Sequence, residues 1–114
     1  MQELTEQNFR KEVLKEKKPV LVEFYAVWCG TCSMMEDIFG LVAEEFDGEI
    51  KAVRVETERN PLLAARYRIR ELPSFLLFSE GKEVLRMTGM MEAGEMAEIL
   101  RNAADILNGK SGKR

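Results

Sequence analysis

The chain has no histidine, only two cysteines and three prolines, no excess of positive charge, and no apolar run long enough to cross a bilayer. Each absence removes a class of chemistry. Without histidine, neither a Ser-His-Asp nor a Cys-His catalytic arrangement can form. Mixed Cys-His zinc sites go with it, and two cysteines cannot build a four-thiolate site within one chain. A formal net charge of -3 argues against nucleic acid as a partner, because neutralising phosphates takes a basic surface. Residues Met1 to Glu6 carry neither the basic nor the apolar segment of a secretory leader. The expected compartment is therefore the cytoplasm, with no membrane association.

What is present fits one compact α/β domain: 114 residues, 46% hydrophobic, is enough to enclose a core. We expect the domain to span residues 1–107, followed by a polar, disordered tail over 108–114. Both cysteines fall in Trp28-Cys29-Gly30-Thr31-Cys32, at a change of hydrophobic period. Before it, Pro19 to Val27 is a nearly continuous apolar stretch, as in a buried strand. After it, Met35, Ile38, Phe39, Val42 and Phe46 recur at helical spacing. A strand therefore hands over to a helix at the cysteines, with Cys29 near the helix start and Cys32 one turn in. A disulfide closing so short a loop removes little unfolded-state entropy, and a reducing compartment disfavours structural bridges. Redox chemistry is the better reading of the pair.

The rest of the chain reads in order. Glu3-Leu4 is a short edge strand, and Thr5 caps a first helix with Phe9, Val13 and Leu14 inward. The charged run Lys15 to Lys18 is a solvated helix end before Pro19. A strand over Val20–Val27 precedes a helix over Cys29–Phe46, and Asp47-Gly48 turns into a strand over Ile50–Thr57. Asn60-Pro61 caps and opens a short helix to Tyr67. Ser74–Phe78 and Glu83–Thr88 pair as a hairpin through Glu80-Gly81. A last helix from Glu92 places Met96, Ile99, Leu100, Ala103 and Leu107 inward and stops at Asn108-Gly109. The order β-α-β-α-β-α-β-β-α predicts a central mixed sheet flanked by helices.

Val22 to Cys32, then Asn60-Pro61, then Tyr67 to Ser74 with its Leu72-Pro73, and the hairpin ending at Gly89 together resemble the thioredoxin family over nearly the whole chain. The resemblance implies the thioredoxin fold and a thiol-disulfide oxidoreductase that reduces protein disulfides. It assigns Cys29 as the attacking thiolate and Cys32 as the resolving thiol, with their disulfide as the only redox group and no other cofactor or metal. The residues themselves agree, since the free N–H groups of a helix start stabilise an anion. Pro73 is implied to be a cis-proline whose turn lets the Leu72 backbone pair with an extended substrate. Trp28, Gly30, Thr31, Leu72, Pro73, Gly89 and Met90 are implied to form the rim that docks client segments. The implied partners are a thioredoxin-reductase-like electron donor and disulfide-containing client proteins, met by a monomer.

Four departures from the family pattern bear on mechanism. Thr31 stands where proline usually lies between the cysteines, which predicts a somewhat weaker reductant. Glu23 occupies the place of a buried aspartate that assists proton transfer to and from the second cysteine, and Arg54 that of its partner lysine. Burial raises the pKa of a carboxylate, whereas a paired arginine opposes that shift. Ser33 replaces a residue that is often basic, and Glu36-Asp37 add negative charge nearby. Asp37 also replaces a helix-kinking proline, with Gly40 available as a softer bend. These departures sustain an alternative, a specialised and more oxidising relative with a narrow client set. A soft-metal carrier using Cys29, Cys32 and Met34-Met35 is the reading from another class.

Overall fold

Strand β1 spans Gln2–Leu4, β2 Val20–Tyr25, β3 Lys51–Glu56, β4 Ser74–Ser79 and β5 Lys82–Thr88. Helices α1, α2 and α3 span Gly30–Glu45, Pro61–Arg66 and Ala93–Leu107. This is the computed structural model of the chain, and it describes residues 1–109. The strands form one sheet in the order β1-β3-β2-β4-β5, with β1, β3 and β2 parallel and the β4-β5 hairpin antiparallel. The expected mixed α/β sheet with flanking helices is what forms.

Alternation along the central strands sends side chains to two separate cores. Val22 and Phe24 of β2, Val53 and Val55 of β3, and Leu76 and Phe78 of β4 meet Leu4, Phe9, Val13 and Leu63 on one face. On the other face, Leu21, Phe75 and Leu77 meet Met35, Phe39, Val42 and Phe46 of α1 and Met96 and Leu100 of α3. By the same alternation Glu23 belongs to the second face, where it is completely buried. The register sets Glu23 beside Arg54 on β3 and beside Phe75 on β4.

Several element boundaries differ from the sequence reading. The expected first helix is a turn followed by a π-helical segment, Arg10–Leu14, in which Lys15 N–H donates to the Arg10 carbonyl at 2.9 Å. The wider turn still buries Phe9 and Val13. Thr5 caps in a different way: its hydroxyl accepts from Gln7 N–H at 3.2 Å, while Asn8 Oδ1 accepts from Thr5 N–H at 2.8 Å. Asn60 makes no side-chain cap on α2. Its amide is instead committed elsewhere, donating to the Glu56 carbonyl and accepting from Glu6 N–H. The first turn of α2 is met by Glu6, whose carboxylate accepts from Leu62 N–H at 2.6 Å. In α3, Ala104 is buried and Leu107 is exposed, because the last turn overhangs the core that Leu100 still reaches. Glu80 and Gly81 both have positive φ (52° and 80°), the type I′ geometry that matches strand twist. The expected tail over 108–114 falls, from Lys110 on, outside the described residues.

Candidate active site

Strand β2 ends at Tyr25, two residues short of the expected Val27, and the reversal that follows builds the site. Cys29 N–H donates to the Ala26 carbonyl at 3.2 Å, which turns the chain and leaves Val27 exposed. Cys29 keeps an extended conformation (φ -88°, ψ 111°) and is the N-cap of α1. Its Sγ accepts from Cys32 N–H at 3.1 Å, the bond that a serine or aspartate oxygen makes at an ordinary helix start. Neither cysteine is in a disulfide. An acceptor sulfur against a donor N–H thus stands at the positive end of a sixteen-residue helix.

Cys29 is itself buried, at 8% exposed, and Cys32 is enclosed further. It is 3% exposed, and burial pushes its thiol up to about 12, with the hydrogen bond to Cys29 second and the negative charges of Cys29 and Glu23 adding to it. The Ala26 backbone offsets part of this. The two sulfurs therefore differ: Cys29 Sγ accepts the Cys32 N–H at the helix start, whereas burial holds the Cys32 thiol up.

Around them, Leu72 packs against Ala26, Cys29 and Cys32. The Leu72–Pro73 peptide is cis, and the Pro73 carbonyl accepts from Gly89 N–H at 2.9 Å. Gly89 has φ 79°, a conformation that side chains disfavour, and Met90 follows it half exposed. Gly30 has no neighbour where a Cβ would stand, so the first turn of α1 is open above the cysteines. Trp28 is 65% exposed yet held, its Nε1–H donating to Glu58 at 2.7 Å. A cleft of about 290 Å³ beside the cysteines is lined by Tyr25, Ala26, Val27, Ser33, Glu36 and Arg54 as well.

Beneath that cleft lies Glu23. Its Oε1 accepts from Arg54 Nε–H at 2.8 Å, and its Oε2 has no hydrogen-bond partner among the described residues. Burial raises its pKa above the ordinary carboxylate value, Arg54 opposes the rise, and Glu36 and Glu3 add to it. Arg54 is shared: its Nη1 lies 3.5 Å from Glu3 and 3.7 Å from Glu36, and its guanidinium stacks 3.8 Å over the Tyr25 ring. Tyr25 in turn donates to Glu3 at 2.7 Å. Divided among three carboxylates, Arg54 cannot fully offset the desolvation of the one that is buried.

The sequence reading paired Glu23 with Arg54 and noted Glu36, but missed Glu3, Tyr25 and Glu58. The first two need the β1-β3 register, which three residues of edge strand do not reveal. Glu58 approaches Trp28 from thirty residues away, with no local pattern to announce it. For the carrier reading, Met35 is fully buried in the core and Met34 is exposed, so the two do not converge on the cysteines.

Two thiols one helical turn apart, unlike in their environments and set at the end of a central strand, make a site for dithiol–disulfide exchange, and the chain is a thiol-disulfide oxidoreductase. A family model described as thioredoxin matches residues 1–102. Thioredoxin of Pyropia yezoensis is 37% identical over 98 residues, covering 86% of this chain and 92% of its own. Thioredoxin 1 of a Nostoc species is 36% identical with the same coverage. Chloroplastic thioredoxin Y2 of Arabidopsis thaliana is 42% identical over 89 residues, 78% of this chain and 53% of its own. The chain belongs to the thioredoxin family.

Proposed function

We propose that Cys29 attacks and Cys32 resolves in the reduction of client disulfides, with Glu23 as the base for the second step. The Cys29 thiolate attacks one sulfur of the client disulfide; the other leaves as a thiolate and takes a proton from water. Glu23 carboxylate then accepts the Cys32 proton, and the Cys32 thiolate attacks Cys29 Sγ. That forms the Cys29–Cys32 disulfide and expels the second client thiolate, so two electrons have passed to the client. A dithiol donor of the thioredoxin-reductase kind reverses the exchange, and the pair itself is the only redox group. The observation that carries this reading is the asymmetry of two buried sulfurs: Cys29 accepts the Cys32 N–H, while the Cys32 thiol is pushed up and holds its proton. A thiol raised to about 12 needs a base at neutral pH, and Glu23, itself raised by burial, suits that role.

Trp28, Gly30, Thr31, Leu72, Pro73, Gly89 and Met90 form the docking rim in this reading. Support comes from the exposure of Trp28 and Met90 beside an open helix start. The protein acts as a monomer in the cytoplasm, without nucleic acid or membrane as partner; among the described residues no helix is long and apolar enough to cross a membrane. The decisive test is trapping. Cys32→Ser should accumulate a mixed disulfide between Cys29 and a disulfide-bonded client, and Cys29→Ser should accumulate none. Trapping through Cys32 in the Cys29→Ser protein, at the same rate, would reverse the assignment.

A further inference from the structure

Three adjacent strands set Glu3, Arg54 and Glu23 in one row. The register pairs Glu3 of β1 with Arg54 of β3, and Arg54 in turn with Glu23 of β2. Residues opposite one another in a sheet share a face, so one cation lies between two carboxylates. Beyond Glu23 the row continues with Phe75 of β4, whose side chain has no donor. An arginine beside a carboxylate frequently closes a fork of two parallel N–H bonds. Here the fork is half made. Arg54 Nε–H donates to Glu23 Oε1 at 2.8 Å, but no second donor reaches Oε2 among the described residues. The rest of the guanidinium is held elsewhere: it stacks 3.8 Å over the Tyr25 ring, and its Nη1–H donates to Glu3 Oε2 at 3.5 Å. The same Glu3 oxygen accepts from the Tyr25 hydroxyl at 2.7 Å, which closes a circuit of Glu3, Tyr25 and Arg54. Glu36 also lies 3.7 Å from Nη1, but its side chain is mostly exposed and no hydrogen bond fixes it among the described residues.

We propose that Glu3 is a positioning residue for the second step: with Tyr25 it holds the Arg54 guanidinium so that Glu23 Oε2 stays unbonded and accepts the Cys32 proton. This rests on the reading of Glu23 as the base for Cys32. The proton passes from Cys32 Sγ to Oε2, leaving a thiolate that attacks Cys29 Sγ and a neutral carboxyl beside Arg54. An oxygen that already accepts from a guanidinium is a poorer proton acceptor, because the bond stabilises its charged form. Without Glu3, Arg54 is free to complete the fork on Oε2, and its undivided charge falls on Glu23. Both changes hold the carboxylate ionised and weaken it as a base. The charge of Glu3 acts in the same direction as its hold on Arg54, since it raises Glu23 directly. The charged and titratable groups facing Glu23 are Glu3 from β1, Tyr25 from β2, Arg54 from β3, and Glu36 and Cys32 from α1. Glu3 is the one of them that both tethers Arg54 and is itself tethered, by Tyr25.

The test is single-turnover release from a mixed disulfide preformed at Cys29, followed against pH in Glu3→Ala, Glu3→Gln and Glu23→Gln. Glu3 is exposed on an edge strand whose buried residue is Leu4, so both substitutions at position 3 keep the fold. Glu3→Ala should slow release several-fold at neutral pH, and the limb on which Glu23 loses its proton should move to lower pH. Glu3→Gln keeps an acceptor for Tyr25 but not the charge, and should move the limb the same way by less. The first attack by Cys29 should keep its rate in both. The side-chain carboxyl carbon resonance of Glu23, titrated in the reduced protein, should move with the release profile. Adding Glu3→Ala to Glu23→Gln should slow release no further; an equal slowing with and without the Glu23 carboxylate would overturn the proposal. Wild-type profiles in both Glu3 variants, with Glu23→Gln slow, would overturn the role of Glu3 and leave that of Glu23 standing. Wild-type release in Glu23→Gln would overturn both.

Discussion

Strands β2 and β3 present two unlike faces within the same few residues. On one, Val22, Phe24, Val53 and Val55 pack among other apolar groups and nothing polar interrupts them. On the other, one residue out of step, Glu23 and Arg54 lie side by side under α1, with one carboxylate oxygen unbonded. Both faces are excluded from water, yet they obey different physics. Burying a large apolar side chain contributes about 1.5–3 kcal/mol. Burying an ion pair returns little or less than nothing, since desolvation rivals the attraction. The first face holds the sheet together; the second is tolerated by a sheet that the first has already made stable.

The comparison predicts opposite signs for mutations on the two faces. Phe24→Ala should lose about 3–5 kcal/mol in denaturant unfolding while the folded fraction keeps its release rate. Replacing the pair together, Glu23→Leu with Arg54→Leu, should leave stability unchanged or raise it by about 1–4 kcal/mol. That double variant should release client slowly, by roughly an order of magnitude or more, in the single-turnover assay. A large loss of stability on removing both partners would break the contrast between the faces.

Smaller effects sharpen it. The folded pKa of Glu23 lies above its unfolded value, so its contribution to stability is present in full below about 4.5 and is lost as pH rises through the raised value. Wild type should therefore lose stability relative to Glu23→Gln as pH rises from 4.5 towards neutrality, measured as the difference in unfolding free energy between the two. A flat difference would mean that Arg54 fully offsets the burial. The least effect on stability is expected from Thr31→Pro, which leaves both faces untouched. It should lower the reduction potential of the Cys29–Cys32 couple, titrated against a dithiol buffer with Trp28 fluorescence as readout; an unchanged or higher potential would remove Thr31 as a tuning residue.

Most of the architecture was legible because local patterns and the sheet agree. The period change at Trp28, the alternation of β3, the apolar run of β4 and the Glu80-Gly81 turn each carry their own signal in a few adjacent residues. Where the reading slipped, the deciding partner was remote. Asn60 looks like a cap, but the fold brings Glu6 to the first turn of α2 and draws the Asn60 amide away. Leu107 keeps the helical period of α3, but no core residue extends far enough to cover it.

The sequence by itself determined that this chain has one pair of thiols for its chemistry, at a strand-to-helix handover, with no histidine to assist them. Composition and spacing suffice for that, because backbone geometry puts residues three apart on one helical turn. Only the tertiary structure decided what the thiols and their nearby carboxylate experience. Cys32 is raised by burial that α1 and the Leu72 turn create together. Glu23 is left short of a partner because β1, β3 and α1 bring three carboxylates to one guanidinium. Desolvation and the sharing of a charge depend on what surrounds a group in space, and residues 3, 23, 36 and 54 meet only once the sheet has formed.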